Sequence, residues 1–159
     1  MNTKQKPTFF RQKSEVVYTV EDLPISISKT EVNFLRDVAE KSSSQKARVL
    51  LHGSPEKALH EMLIVHSYGH YIQPHINAHS TKSFVVLEGA MAVVLFENEG
   101  TISSHFRLDG FGKGSTFMLR LDNPIFHTVV PISTTVTFLE TVKGPHVQTH
   151  YAPFAPAPS

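Results

Sequence analysis

Three polar side chains could converge on one small ligand or metal ion. His75 and Asn77, in the stretch PHIN, are two residues apart, so on a β-strand both side chains point to the same face. His127, in NPIFHTVVP, follows a turn and begins another apolar strand. In a β-barrel, histidines from two strands that enter the same end of the barrel can bind one metal ion. These residue types therefore indicate a mononuclear metal site.

His79 is a further candidate ligand, because it follows His75 by four residues. That separation spans roughly 13 Å of extended chain, so both imidazoles reach one ion only if the chain bends between them. The stretch NAHST is typical of such a turn. We interpret four of the ten histidines as solvated or hydrogen-bonded residues: His60, His105, His146 and His150.

The composition limits the class of protein. A chain of 159 residues is long enough for one domain with a buried core. Its net charge of +1 is too small to attract the phosphate backbone of a nucleic acid. The absence of cysteine excludes zinc fingers and disulfide frameworks. The polar start MNTKQKPTFFRQKSE is unlike a signal peptide, and no stretch has the length of a membrane span. We therefore expect a cytoplasmic protein with neither nucleic acid nor membrane as partner.

One helix and many short strands must position these side chains. Ser28 and Glu31 form a capping box that predicts a helix from about Lys29 to Lys41. From Arg48 onward, short apolar runs alternate with turn residues at intervals of about 8 to 12 residues, which is typical of a β-sandwich or barrel. We predict three parts: residues 1–45 form a mobile arm, a strand at EVVYTV and the helix, residues 46–145 the barrel, and residues 146–159 a Pro-rich surface tail anchored by Phe154.

Six blocks of the sequence resemble the small cupin proteins of the WbuC family, which are described as cupin-fold metalloproteins. The blocks are RVLLH, EMLIVHSYGHYIQPH, KSFVVLEGAMAVVLF, FMLRLDNPIFHTVVP, FLETVKGP and YAPFAP, and they lie between about Val16 and Pro156. The resemblance implies an all-β cupin double-stranded β-helix, a jelly-roll barrel with one α-helix ahead of it. It also implies a pocket in which a His-x-His pair and a Glu of a first motif join one His of a second motif.

The resemblance assigns four positions of this pocket. His75 matches the first histidine of the first motif, and His127 matches the histidine of the second. Asn77 stands at the second histidine position and Lys82 at the glutamate position. An amide oxygen is a poor ligand for zinc or iron, and an ammonium group has no lone pair and repels the ion. The pocket therefore either binds metal weakly or binds an anion through Lys82.

Three functions are compatible with Asn77 and Lys82 at positions where the family pattern has histidine and glutamate. In the first, His75 and His127 bind a divalent ion (Zn, Ni, Fe or Mn), with Asn77, His79 or Glu140 as additional ligands. The second is a metal-free enzyme that resembles cupin sugar-nucleotide isomerases and epimerases, with a histidine as general base and with Lys82 and Arg120 as anion clamps. The third is a ligand-binding cupin without turnover. Glu140 is also a candidate partner for Lys82.

The resemblance also implies a ligand class and an assembly. The family's link with surface-polysaccharide genes implies a sugar or carboxylate ligand. Cupins often pair through strand edges, so we expect a homodimer, with the first strand, Val16 to Val20, extending a neighbour's sheet.

Overall fold

The structure is a computed structural model that describes residues 5–21, 24–77, 81–122 and 124–158. Within these ranges it contains one helix, α1, and twelve strands, β1 to β12. Their bounds are β1 Arg11–Gln12, β2 Val17–Thr19, α1 Lys29–Lys41, β3 Lys46–Leu50, β4 Leu59–Ser67, β5 His75–Asn77, β6 Lys82–Glu88, β7 Ala90–Phe96, β8 Ile102–Asp109, β9 Met118–Leu121, β10 Phe126–Pro131, β11 Thr135–Lys143 and β12 Thr149–Tyr151.

The strands form two sheets that pack as a β-sandwich. Sheet A has the order β1-β2-β3-β4-β11-β6-β9, and sheet B the order β12-β5-β10-β7-β8. Strands β2 and β3 are parallel, and the other neighbours are antiparallel. The predicted all-β jelly-roll fold with one helix is confirmed, but across the described strands the sheets do not close into the expected barrel. Strands β1 to β3 extend sheet A and leave one side of the sandwich open.

An apolar core lies between the two sheets. Phe84 on β6 and Phe138 on β11 are almost fully buried, and Met91 and Val93 on β7 face them from sheet B. Alternate residues on each strand point into this core, as the pleat of a strand requires. The core therefore fixes which face of β6 and β11 is directed inward near the site.

Strands β3 and β4 pack one face against the helix and direct the other toward a cavity. Val49 on β3 and Val65 on β4 pack under α1, where Leu35 of the helix is fully buried. The residues that alternate with them along each strand, including Arg48 on β3 and His66 on β4, point to the opposite face and line a cavity. This helix packing orients the exposed basic side chains of β3, Lys46 and Arg48, toward the cavity.

The helix and the Gly89 turn follow from local sequence. Ser28 accepts a bond from the backbone N–H of Thr30 at 3.1 Å, and Glu31 accepts one from that of Ser28 at 2.8 Å, so the capping box is confirmed. Gly89 has φ of 80° and connects β6 in sheet A to β7 in sheet B. A Cβ there would lie 2.3 Å from the carbonyl oxygen of Thr135, so only glycine fits this turn.

The described parts of the N-terminal arm and of the tail form more structure than the sequence predicted. Phe10, in the expected mobile arm, is fully buried against Tyr18 and Phe34, and β1 pairs with β2. Phe154 packs on Phe96 and Phe126, with ring centroids 5.6 Å away in both cases, which confirms it as an anchor of the tail. The tail also contributes β12, which pairs with β5. Of the described segments, no helix is long and apolar enough to cross a membrane.

Candidate functional site

Two histidines from different parts of the chain meet on sheet B. Strand β5 lies beside β10, and their register places His75 directly opposite His127. Their ring centroids are 4.7 Å apart, with the ring planes inclined by 52°. His127 is 3% exposed and packs edge-on near Phe84, whereas His75 lines the cavity. The structure therefore brings together the two histidines that the sequence singled out.

Backbone carbonyls fix the tautomer of both imidazoles. The Nδ1 atom of His75 lies 3.1 Å from the carbonyl oxygen of Gln73, and that of His127 lies 2.9 Å from the carbonyl oxygen of Ile125. Because a carbonyl oxygen only accepts, each Nδ1 carries the proton and each Nε2 keeps its lone pair. The buried Nε2 of His127 has no hydrogen-bond partner within the described part of the chain.

Burial and positive charge keep both rings neutral. Burial, followed by the charges of Lys82 and His75, lowers the pKa of His127 to about 3. Burial and Lys82 also lower the pKa of His75 below its ordinary value. Near pH 7 both imidazoles are therefore uncharged hydrogen-bond acceptors at Nε2.

Lys82 lies on sheet A at the other side of the same site. Its side chain is 4% exposed, and its ammonium donates to Oδ1 of Asn77 at 3.0 Å and to Oε1 of Glu140 at 3.1 Å. Lys82 pairs with Val142 across β6 and β11, so Glu140, two residues away, shares its face of the sheet. Asn77 also donates to Oγ1 of Thr149 at 3.0 Å. The expected partnership between Glu140 and Lys82 is therefore present.

The carboxylate of Glu140 is held in its charged form. Burial raises the pKa of this group, but the ammonium of Lys82, which lies in contact, outweighs burial and lowers the pKa below its usual range. The two charges therefore form a buried ion pair. Such a pair stabilises the fold only while both partners remain, because either one alone is a desolvated charge.

The donor set within the described residues does not complete a metal site. Two imidazole lone pairs are available, but Oδ1 of Asn77 and Oε1 of Glu140 both accept from the ammonium of Lys82. In the described ranges no group of three His, Asp or Glu side chains is arranged to hold an ion. An ammonium at the position of the family's glutamate repels a divalent cation. His79, a candidate ligand, lies outside the described residues.

A cavity of about 680 Å³ opens in front of this site, between the extended part of sheet A and sheet B. His75, Asn77, Lys82 and Glu140 line one end of it. The charged side chains described in its wall are four cations and one carboxylate: Lys46, Arg48, Lys82, Lys143 and Glu140. The cavity is therefore electropositive and has the size of a small-molecule site.

Histidines that the sequence analysis did not select also line this cavity. The rings of His66 and His70 lie 4.4 Å apart, and those of His52 and His60 stack at 4.0 Å. The alternation of His60, Met62, Ile64 and His66 along β4 indicated that these residues share a face. It did not indicate that the face is the inner one.

Arg120 is not brought to the cavity. It lies on the edge strand β9, and its guanidinium donates to Oδ1 of Asp122 at 3.0 Å on the surface. The side chains of the two residues are more than half exposed. The structure thus joins His75, Asn77, His127, Lys82 and Glu140 and leaves Arg120 apart.

Comparison with known proteins adds a family and a fold. Residues 27–108, just over half of the chain, match a family described as a domain of unknown function, DUF6016. No curated protein matches the sequence. The finer assignment to the WbuC family stays a prediction.

Solved structures with a similar fold are cupin enzymes of low sequence identity. An oxalate oxidase in complex with the substrate analogue glycolate has a TM-score of 0.56 and 11% identity, over 71% of this chain and 58% of that one. A second oxalate oxidase structure gives the same values. An oxalate decarboxylase from Bacillus subtilis, which has Mn(II) centres, has a TM-score of 0.49 and 17% identity, over 60% of this chain and 24% of that one. The chain thus spans 58% of the oxalate oxidase, and the likeness shows the cupin fold alone.

Proposed function

The chain belongs to the DUF6016 family, and we propose that it is a metal-independent cupin that binds a small hydroxylated carboxylate, of the sugar-acid class. The observation that carries this proposal is the ammonium of Lys82 beside the neutral imidazole of His75, both in the wall of an electropositive cavity. A fixed cation can bind a carboxylate, and an imidazole lone pair can accept a hydrogen bond from an adjacent hydroxyl.

The hydrogen bonds of Lys82 leave room for a ligand. An ammonium group has three N–H donors, and two of them bind Asn77 and Glu140. The third has no hydrogen-bond partner among the described residues, and the ammonium lies 5.6 Å from the centroid of the Phe84 ring. A ligand carboxylate at this position accepts that N–H, and the neighbouring cations of the cavity compensate for the repulsion by Glu140.

Binding fits the site better than general-base catalysis. A general base works best when its pKa is near the working pH, and burial with Lys82 places that of His127 at about 3. His75 also has a lowered pKa, for the same reasons. Both rings therefore act more readily as hydrogen-bond acceptors than as proton carriers.

A calorimetric titration with glucuronate, with glucose as the uncharged control, tests the proposal on untagged protein. We expect glucuronate to bind with or without a chelator, and the double variant Lys82→Gln/Glu140→Gln to bind at least about tenfold more weakly. Glu140→Gln alone is the matched control, because it keeps the cation and removes the competing carboxylate, and we expect tighter binding. Glucuronate binding that depends on bound metal would contradict the proposal.

A divalent metal site is the second candidate, and the tautomer of the histidines favours it. Metal-binding histidines usually donate their other N–H to a carbonyl or carboxylate, as His75 and His127 do. Metal content measured by mass spectrometry on untagged protein separates the candidates. Near-stoichiometric metal that falls in Glu140→Gln would support this second function, since glutamate would then be a ligand.

We further propose a homodimer in the cytoplasm, as the resemblance implies. The expected strand, Val16 to Val20, contains β2, which pairs with β1 and β3 of its own chain and so cannot extend a neighbour's sheet. Strand β1 instead forms the edge of sheet A, where a second chain could add its own strand. Light scattering coupled to size exclusion measures the mass directly, and a monomeric mass at micromolar concentration would rule out this assembly.

A further inference from the structure

A group of basic side chains lies at the end of the cavity away from Lys82. Lys46 and Arg48 are two residues apart on β3, so both point to the cavity face, and Lys46 is directly opposite His66 on β4. The ring of His70 lies 4.4 Å from that of His66. We call these four residues the basic rim: Lys46, Arg48, His66 and His70.

The basic rim has no compensating carboxylate in the described ranges. Neither Lys46 nor Arg48 forms an ion pair there. Burial and then Arg48 lower the pKa of Lys46. Burial, then the charges of His70, Lys46 and Arg48, lower that of His66. The neighbouring side chains that lower the pKa values of Lys46 and His66 lie on β3 and in the turn after β4, and they are all basic.

His66 has an unsatisfied polar atom at the same place. The residue lines the cavity but is only 6% exposed, and its Nδ1 has no hydrogen-bond partner among the described residues. Its other neighbour is the ring of Phe138, at 5.2 Å, which offers no hydrogen bond. A buried polar atom without a partner costs free energy, and a bound ligand in the cavity could supply that partner.

We propose that the basic rim is a binding subsite for a phosphate group of a small molecule. Two permanent cations match the charge of a phosphate, which is close to −2 at neutral pH, and a guanidinium donates to phosphate oxygens in a fork. His66 can direct its unpartnered Nδ1 to a tetrahedral group, whereas His70, whose ring already bonds to the backbone of Ser44, donates to that group once it is protonated. Metal is a poor occupant because the surrounding charges are positive.

The basic rim is separate from the Lys82 end and does not rest on the function proposed above. Arg48 is level with Phe138, two residues from Glu140 along β11. Lys46 and His66 are level with Val136, which is four residues from Glu140. That separation is about 13 Å along the strand. No residue is shared between the two groups, and substitutions in one can be tested against binding at the other.

Titration with inorganic phosphate tests the subsite directly. We expect calorimetry to show phosphate binding to the unmodified protein, and Arg48→Gln and Lys46→Gln to weaken it at least about tenfold each. Lys143→Gln is the matched control, because it removes an equal charge from the same cavity at the far end of β11. We expect it to weaken binding less than about threefold. No phosphate binding, or an equal loss in the control, would overturn the subsite.

A second measurement uses sulfate, which stays a dianion between pH 5 and 8. Burial and Lys46 hold the pKa of His70 at about 4 in the free protein, and a bound anion must raise it. Binding therefore takes up a proton, and sulfate affinity should increase as the pH falls from 7 to 5. The double variant Lys82→Gln/Glu140→Gln should retain phosphate and sulfate binding while glucuronate binding is lost. Loss of phosphate binding in that variant, or sulfate affinity that does not change with pH, would contradict the basic rim as the site.

Discussion

The two ends of the cavity use similar residues in opposite ways. At the Lys82 end, sheet A supplies both a cation and the carboxylate of Glu140, and the charges neutralise each other at 3.1 Å. At the basic rim, Lys46 and Arg48 form no ion pair within the described segments. Each side chain therefore attracts an anion into the cavity. The difference shows that a facing carboxylate commits part of the ammonium of Lys82 to the fold and leaves one N–H for a ligand, whereas the cations of the basic rim have no such partner.

The comparison also separates burial from function. Lys82 is 4% exposed and depends on its ion pair, whereas Lys46 and Arg48 are exposed and can be replaced without a buried charge being left behind. Substitution of Lys82 should therefore reduce stability, whereas substitution of Lys46 or Arg48 should reduce phosphate affinity with little loss of stability. The predictions below test this division, beginning with the largest expected effect.

Breaking the buried pair should strongly destabilise the fold. Lys82→Met leaves the carboxylate of Glu140 buried without its cation, and we expect the free energy of unfolding to fall by about 3 kcal/mol. Urea denaturation measures this change. Lys82→Met/Glu140→Leu should recover most of the loss, because an apolar pair of similar volume carries no unpaired charge.

The exposed pair between Arg120 and Asp122 provides the control for this prediction. Arg120→Gln should change the free energy of unfolding by less than about 0.5 kcal/mol, since solvent screens the pair. Equal losses in Lys82→Met and Arg120→Gln would show that Lys82 is not the buried half of a pair in solution.

Acidification should destabilise the Lys82 end through His127. The unfolded chain binds a proton at this residue below pH 6.5, whereas burial, with Lys82 and His75, delays protonation in the folded protein to a pKa of about 3. The unfolded state then binds more protons, so stability decreases as the pH falls from 6.5 toward 3. At pH 5 the contribution of this one residue is about 2 kcal/mol.

The variant His127→Gln isolates this effect, because glutamine does not titrate. In urea denaturation, the free energy of unfolding of this variant should decrease between pH 7 and pH 5 by about 2 kcal/mol less than that of the unmodified protein. His66→Gln should also reduce the decrease, since the pKa of His66 is lowered as well. An unchanged pH dependence in both variants would mean that the two rings are solvated.

The sequence predicted those parts of the fold that depend on neighbouring residues. The capping box at Ser28 and Glu31 predicted the start of α1, because its hydrogen bonds lie within four residues of chain. The resemblance to a family pattern in the sequence also identified His75 and Lys82 as residues of the site. The sequence did not predict the burial of Phe10 or the pairing of β1. Phe10 lies in a polar segment, and its burial depends on contacts with Tyr18 and Phe34, which come later in the sequence.

The pairing of the edge strands and the basic rim were harder to predict, because both depend on contacts between residues that are far apart in the sequence. A closed barrel was expected, but the pairing of edge strands depends on how sheet A extends at β1 to β3. The sequence analysis did not identify Lys46 and Arg48, because their spacing does not show that α1 covers the other face of β3. Only the packing of Val49 under the helix decides that the basic face is directed into the cavity.

The smallest predicted effect concerns the repulsion within the basic rim. Lys46 and Arg48 point the same way from β3 without an anionic partner in the described residues, so Arg48→Gln should raise the free energy of unfolding by about 0.3 kcal/mol at low ionic strength. Raising the salt concentration to about 1 M should remove the difference, because the Debye length then falls to about 3 Å. Arg107→Gln is the matched control, since Arg107 pairs with Asp109 on β8 and its removal should lower stability instead. If Arg48→Gln lowers stability as the control does, Arg48 has an anionic partner in solution, and the two ends of the cavity no longer differ in charge compensation.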